Sequence, residues 1–103
     1  MSYWFYILKN RDKLHHVGIT RLPPDKLVAK HNKGEIAPTR EKGPWKLAYA
    51  ERYKRLAEAT GRKKEVDVKR GGHLVDQFIT QNRRSRFAIQ PTFKHKGVER
   101  PKR

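Results

Sequence analysis

Aromatic and β-branched residues run almost unbroken from Tyr3 to Leu8, polar residues take over at Asn10-Arg11-Asp12-Lys13, and a second apolar run spans Leu14 to Thr20. That succession predicts a β-hairpin, because bulky side chains of this kind fit a pleated, half-buried surface and the polar four do not. Pro23-Pro24-Asp25 predicts a helix start, since proline fits the first turn where its missing N–H costs nothing. Gly34, shortly after His31-Asn32, suits the carboxyl-terminal cap. Leu27 and Val28 supply a modest apolar stripe between them. A loop holding Pro38, Gly43 and Pro44 follows. From Trp45 to Tyr53 the pattern alternates, which predicts a third strand with Trp45, Leu47, Tyr49, Glu51 and Tyr53 on one face, near the middle of the sheet. Residues 55–70 read as a helix with Leu56, Ala59, Thr60 and Val66 on one side, weakened at Gly61 by about 1 kcal/mol relative to alanine. Gly71-Gly72 ends it, and Leu74, Val75, Phe78 and Ile79 form the stripe of another short helix. The expected class is α+β: a small three-stranded antiparallel sheet, hairpin plus one further strand, flanked by helices within residues 1–82.

Composition adds a partner to this picture. A chain of 103 residues supports a single small core. With 26 Lys and Arg against 10 Asp and Glu, its formal charge of +16 opposes folding through self-repulsion, and a polyanionic partner is the commonest reason to carry such an excess. Nucleic acid is therefore the expected partner, DNA ahead of RNA, rather than a membrane. Residues 83–103 hold Arg83, Arg84, Arg86, Lys94, Lys96, Arg100, Lys102 and Arg103 against Glu99 alone, which is +7 of the +16. In this basic tail Phe87, Ile89 and Phe93 would either dock on the domain or stack on unpaired bases, while Pro91, Gly97 and Pro101 favour a disordered, solvated segment.

The absence of cysteine excludes disulfides and thiolate zinc sites, and a hard, oxygen-bound metal stays open. The first apolar run is broken by Lys9, far short of the ~18 residues of a membrane span, and no basic segment precedes it as in a signal peptide. A cytoplasmic protein, compatible with the nucleoid, is expected. Periodicity does not give the oligomeric state.

The order hairpin, helix, strand, helix, helix carries Tyr6 on the first strand, His16-Val17-Gly18 on the second and His31-Asn32-Lys33-Gly34 at the helix end. Thr39-Arg40, Pro44 with Leu47-Ala48-Tyr49-Ala50-Glu51, and Glu58-Ala59 follow. Together these resemble the GIY-YIG nucleases, in their small single-domain form, over about residues 3–80. The resemblance implies a divalent cation surrounded by a tyrosine from each hairpin strand, an arginine and a histidine on the first helix, and a glutamate on the long helix. In such a site the glutamate holds the hard metal, the metal stabilises charge on the phosphorane and leaving oxygen, and the arginine neutralises a phosphate oxygen. A tyrosine, or a water it orders, handles the nucleophile's proton.

Carried over residue by residue, the pattern departs at several positions. Tyr6 matches the first tyrosine, although Trp4 and Phe5 replace the name-giving Gly and Ile. His16 stands in place of the second. An imidazole of pKa about 6.5 accepts protons more readily than a phenol of about 10, so His16 is either a base or an ordinary strand histidine. His31 matches the helix histidine, as a phosphate or nucleophile contact or as a residue favouring the helix dipole. Leu27 occupies the arginine's place, and Lys26, one step of about 100° away, substitutes only if the helix start is distorted. Lys63 coincides with the glutamate. Its ammonium there would repel a dication yet contact the same phosphate, unless it is simply a solvated helix lysine.

The catalytic candidates are thus Tyr6, His16 and His31, and the nucleic-acid contacts Arg21, Lys26, Arg40, Lys63, Arg83, Arg84 and Arg86. No metal is expected, with Mg²⁺ or Mn²⁺ needed if the site is active and Glu58 or Glu65 available only through a slip of register. The favoured reading is a nucleic-acid-binding protein on this fold with cleavage lost or weak. The alternatives are an active metal-dependent endonuclease hydrolysing DNA phosphodiester bonds and a ribosome-associated RNA-binding protein.

Overall fold

A computed structural model describes residues 2–36, 39–84 and 87–88. Strands β1 (Tyr3–Asn10) and β2 (His15–Thr20) form the hairpin, with Tyr6 opposite Gly18 and Leu8 opposite His16. Asn10 shapes the turn. Its side-chain oxygen accepts the N–H groups of Asp12 and Leu14, each at 2.9 Å, the local bonding that makes asparagine a turn former. Helix α1 (Pro24–Asn32), strand β3 (Trp45–Tyr53), helix α2 (Leu56–Asp67) and helix α3 (Gly72–Asn82) follow. Pro24 opens α1, and Gly34, at φ 77°, stands just past its end in the left-handed conformation that favours glycine.

The sheet order is β2-β1-β3, so β1 is central and β3 lies outside it, contrary to the expected middle position for the third strand. The signal for a central strand is the unbroken buried run Phe5, Tyr6, Ile7 and Leu8, covered on both faces, rather than the alternation of β3. A bulge also intervenes: Ile7 pairs with Tyr49 and Leu8 with Leu47, which leaves Ala48 without a counterpart. One extra residue exchanges the faces of everything beyond it. Trp45 and Leu47 therefore pack with Tyr6, Leu8, Leu27 and Ala50 on the α1 side. Tyr49 and Tyr53 pack with Phe5 and Ile7 beneath Ala59 and Val66 of α2 and Val75, Phe78 and Ile79 of α3. The single face predicted for β3 is thus two.

Asn32 fixes α1 against the start of β3 by accepting the Trp45 N–H at 2.6 Å and donating to the Trp45 carbonyl at 3.0 Å. On the opposite face Glu51 is fully buried and held from several sides. Arg62 donates Nε to Oε1 and Nη2 to Oε2, both at 2.8 Å, Tyr53 donates to Oε1 at 2.7 Å, and Tyr49 donates to Oε2. Arg62 reaches on to Asn82 Oδ1 at 2.9 Å and Glu65 Oε1 at 3.0 Å, and its guanidinium lies 4.8 Å from the centre of the Phe78 ring. Burial by itself would raise the Glu51 pKa, but hydrogen bonds from Arg62, Tyr49 and Tyr53 outweigh it and hold the carboxyl below its ordinary value.

After α3 the chain returns to the outer edge of β3. The Arg52 N–H bonds to the Phe87 carbonyl at 3.1 Å, Ala88 bridges to Glu51, and the Phe87 ring stacks on Tyr53 with centroids 4.9 Å apart. Of the two uses expected for the tail aromatics, Phe87 takes the docked one. Arg86, Ile89, Phe93 and the remaining tail lie outside the described residues.

Candidate functional site

Strand alternation turns Tyr6 and Leu8 of β1, with His16 and Gly18 opposite them on β2, toward the α1 side. The last turn of α1 brings His31 to the same place. The ring centres of His16 and His31 are 5.0 Å apart, those of Tyr6 and each histidine 5.9 Å, and Trp45 lies 6.3 Å from His16. The three catalytic candidates therefore share one neighbourhood. Gly18 makes room for it: a Cβ at that position would stand 2.5 Å from the Tyr6 hydroxyl oxygen and 2.7 Å from ring carbon Cζ. The phenol lies directly on the glycine backbone.

His31 is 1% exposed and wired on both nitrogens. Thr39 Oγ1 donates to the Ile36 carbonyl at 3.3 Å, so its oxygen accepts Nδ1–H of His31 at 2.7 Å. Nε2 is then left as the acceptor for the Tyr6 hydroxyl at 3.3 Å. The bonding assigns a neutral imidazole with its proton on Nδ1. Burial, and secondarily the neighbouring His16, lowers the His31 pKa, in agreement with that form. Burial pushes Tyr6 up to about 12, so it stays a hydrogen-bond donor. His31 is bonded to Tyr6 and shielded from solvent.

His16 is half-buried at the edge strand. Its pKa is lowered by burial and then by the positive charge of Lys63 on α2, a helix packed against β2. Lys63 is paired with Asp67 Oδ2 at 2.7 Å and remains partly exposed. Glu65 points away to Arg62. Glu58 lines a separate cleft with Ser2, Arg52, Tyr53, Lys54, Arg55 and Phe87.

The other cations named from sequence are dispersed. Leu27 is buried in the core and Lys26 beside it is exposed. Arg21 lies over the Tyr3 ring at 5.7 Å, Arg40 Nε caps the Gly34 carbonyl at 2.9 Å, and Arg83 and Arg84 are exposed past α3. Among these described cations Lys63 is the one whose charge lowers the His16 pKa.

The GIY-YIG catalytic domain, taken as a sequence profile, matches residues 2–71. The chain belongs to the GIY-YIG family. A UPF0213 protein from Bacillus halodurans, solved by solution NMR, is 26% identical with a TM-score of 0.51, over 79% of this chain and 85% of that one. No curated protein matches. Membership of the GIY-YIG family implies a nucleic-acid substrate and, typically, dependence on a metal ion. The residues of this site do not fit such an ion. Among the described residues no group of three His, Cys, Asp or Glu side chains could hold one, and the charge that lowers the His16 pKa after burial is an ammonium, which would repel a dication.

Some participants were not marked as site residues by sequence. Thr39 fixes the His31 tautomer, and Trp45 packs beside His16 while donating Nε1–H to the Thr39 carbonyl at 3.1 Å. Thr39 stands in a motif already noted, eight residues after His31. Nothing in sequence spacing links it to a ring nitrogen.

Proposed function

We propose that this chain binds nucleic acid with its GIY-YIG domain and that cleavage by the family's metal-dependent route is lost or weak. The observation that carries this reading is that no group of three His, Cys, Asp or Glu side chains among the described residues could hold a metal, Lys63 standing where the family has its glutamate. Binding asks for less. It needs many cations free to meet phosphates, and an excess of +16 supplies them without the missing glutamate. Trp4, two residues before Tyr6 on the same strand face, lies under the Arg52 guanidinium at 5.7 Å and offers an aromatic surface beside the site. DNA stands ahead of RNA on the strength of the family alone.

Raising salt from about 50 to about 200 mM is expected to weaken binding to a mixed-sequence duplex by about a thousandfold or more. Tyr6→Phe should leave affinity within about twofold, because a buried phenol meets no phosphate. Titration by fluorescence anisotropy measures both, and affinity that is weak and flat in salt would refute the reading.

The intact contact between Tyr6 and His31 favours a second reading, an endonuclease dependent on Mg²⁺ or Mn²⁺. It predicts plasmid cleavage with either ion that disappears in Tyr6→Phe and His31→Ala.

A further inference from the structure

Two departures from the family pattern fall on elements packed together: the second-strand tyrosine is His16 of β2, and the metal-binding glutamate is Lys63 of α2, the helix packed against β2, and the His16 pKa is lowered by burial and then by the Lys63 charge. A metal at a phosphodiester-cleaving site supplies a positive charge for the phosphorane and readies a water for attack. Lys63 offers the first without an ion. The second becomes unnecessary if the nucleophile is already attached to the substrate, as the 2′-hydroxyl of RNA is, because an internal group next to the phosphate needs no capture or orientation. It needs only a base, and His16, half-buried beside Trp45 and 5.0 Å from the His31 ring, is placed to be one.

We infer that this site cleaves RNA without a metal ion, through attack of the ribose 2′-oxygen on its own 3′-phosphate, with His16 as base and Lys63 as the cation facing the phosphate. The inference rests on the binding reading above and names the strand on which the site can act.

In the step, the 2′-oxygen forms a bond to phosphorus as the bond from phosphorus to the 5′-oxygen breaks. The 2′-hydroxyl proton passes to the imidazole of His16, and the departing 5′-oxygen takes a proton from that imidazolium, directly or through water. No proton or electron is gained overall. The products are a 2′,3′-cyclic phosphate and a 5′-hydroxyl end. Lys63 turns from Asp67, its partner at 2.7 Å, to a phosphate oxygen. Tyr6 and His31, buried and bonded to each other, are positioning residues that fix the wall against which His16 rests.

The test uses the full chain with EDTA and an end-labelled DNA strand carrying one ribonucleotide, beside the same strand made entirely of DNA. Cleavage is expected only at the ribonucleotide, leaving a cyclic phosphate, and should fall by about a hundredfold or more in His16→Ala and in Lys63→Ala. Lys63→Arg, which keeps the charge, should retain most of it. Circular dichroism and retained salt-dependent binding identify folded variants. Cleavage undiminished in folded His16→Ala, or ends lacking the cyclic phosphate, overturns the inference. So does an uncut ribonucleotide strand that the protein still binds in a salt-dependent way, and that outcome leaves the binding reading intact. Loss of both cleavage and binding overturns both.

Discussion

Glu51→Ala is expected to lower the stability of the fold by about 3–5 kcal/mol, the usual cost of leaving one member of a buried ion pair without its partner. Domains are stable by only about 5–15 kcal/mol in total, so the variant should lose a large share of its margin against unfolding. The carboxylate is 0% exposed and takes bonds from Arg62, Tyr49 and Tyr53 at once. Its removal takes the main partner from Arg62, which keeps Glu65 and Asn82, and from Tyr53, while Tyr49 keeps the Asn82 carbonyl at 3.1 Å. Because the Arg62 side chain is 21% exposed, water recovers part of the loss and the lower end of the range is expected. Urea denaturation followed by circular dichroism measures it. A change below about 1 kcal/mol would mean that the clamp adds no more than a surface pair.

The same carboxyl sets a response to acid. Its pKa in the fold lies below its ordinary value of 4.5, so the stabilisation is complete above that value and is lost as pH falls from it through the folded pKa. The urea midpoint of the parent should therefore drop below about pH 4.5, and Glu51→Gln, less stable from the outset, should show a flatter acid limb. Equal acid slopes in the two proteins would assign the loss to other carboxylates.

Gly18→Ala is the second large effect. The added methyl would stand 2.5 Å from the Tyr6 hydroxyl oxygen and 2.7 Å from Cζ, closer than side chains are found, and Tyr6 is 5% exposed within a packed cluster. Overpacking of this kind costs about 1–3 kcal/mol, and the phenol should lose its contact with His31. Urea denaturation gives the cost, and the ¹⁵N shift of His31 Nε2 reports the lost hydrogen bond. In the double variant with Tyr6→Phe the nearest atom is gone but Cζ remains, so recovery should be partial. A Gly18→Ala protein of parental stability with an unchanged His31 signal would place the hydroxyl elsewhere.

Local patterns carried most of the fold. The hairpin, the Pro24 helix start, the Gly34 cap and the strand from Trp45 to Tyr53 all follow from residues near one another in sequence, and α2 begins one residue after its predicted start and ends three before its predicted end. The order of strands and the bulge at Ala48 were not legible, because each depends on pairing between residues some forty apart. The gathering of Tyr6, His16 and His31 came through family resemblance. The Glu51 to Arg62 clamp did not, because a glutamate on an alternating strand looks identical whether it faces water or a buried guanidinium. The aim of Lys63 was likewise open until the packing of α2 against β2 was known.

Arg62 and Lys63 are consecutive, and consecutive helix residues point about 100° apart. With Arg62 anchored to Glu51 and Asn82, the rotation of α2 about its axis is determined by one position and the direction of the next comes with it. Any residue that replaces Lys63 inherits the same aim at the strand edge. Exchange of acid for base at that position would therefore invert the charge presented to the strand edge while the architecture stayed as it was.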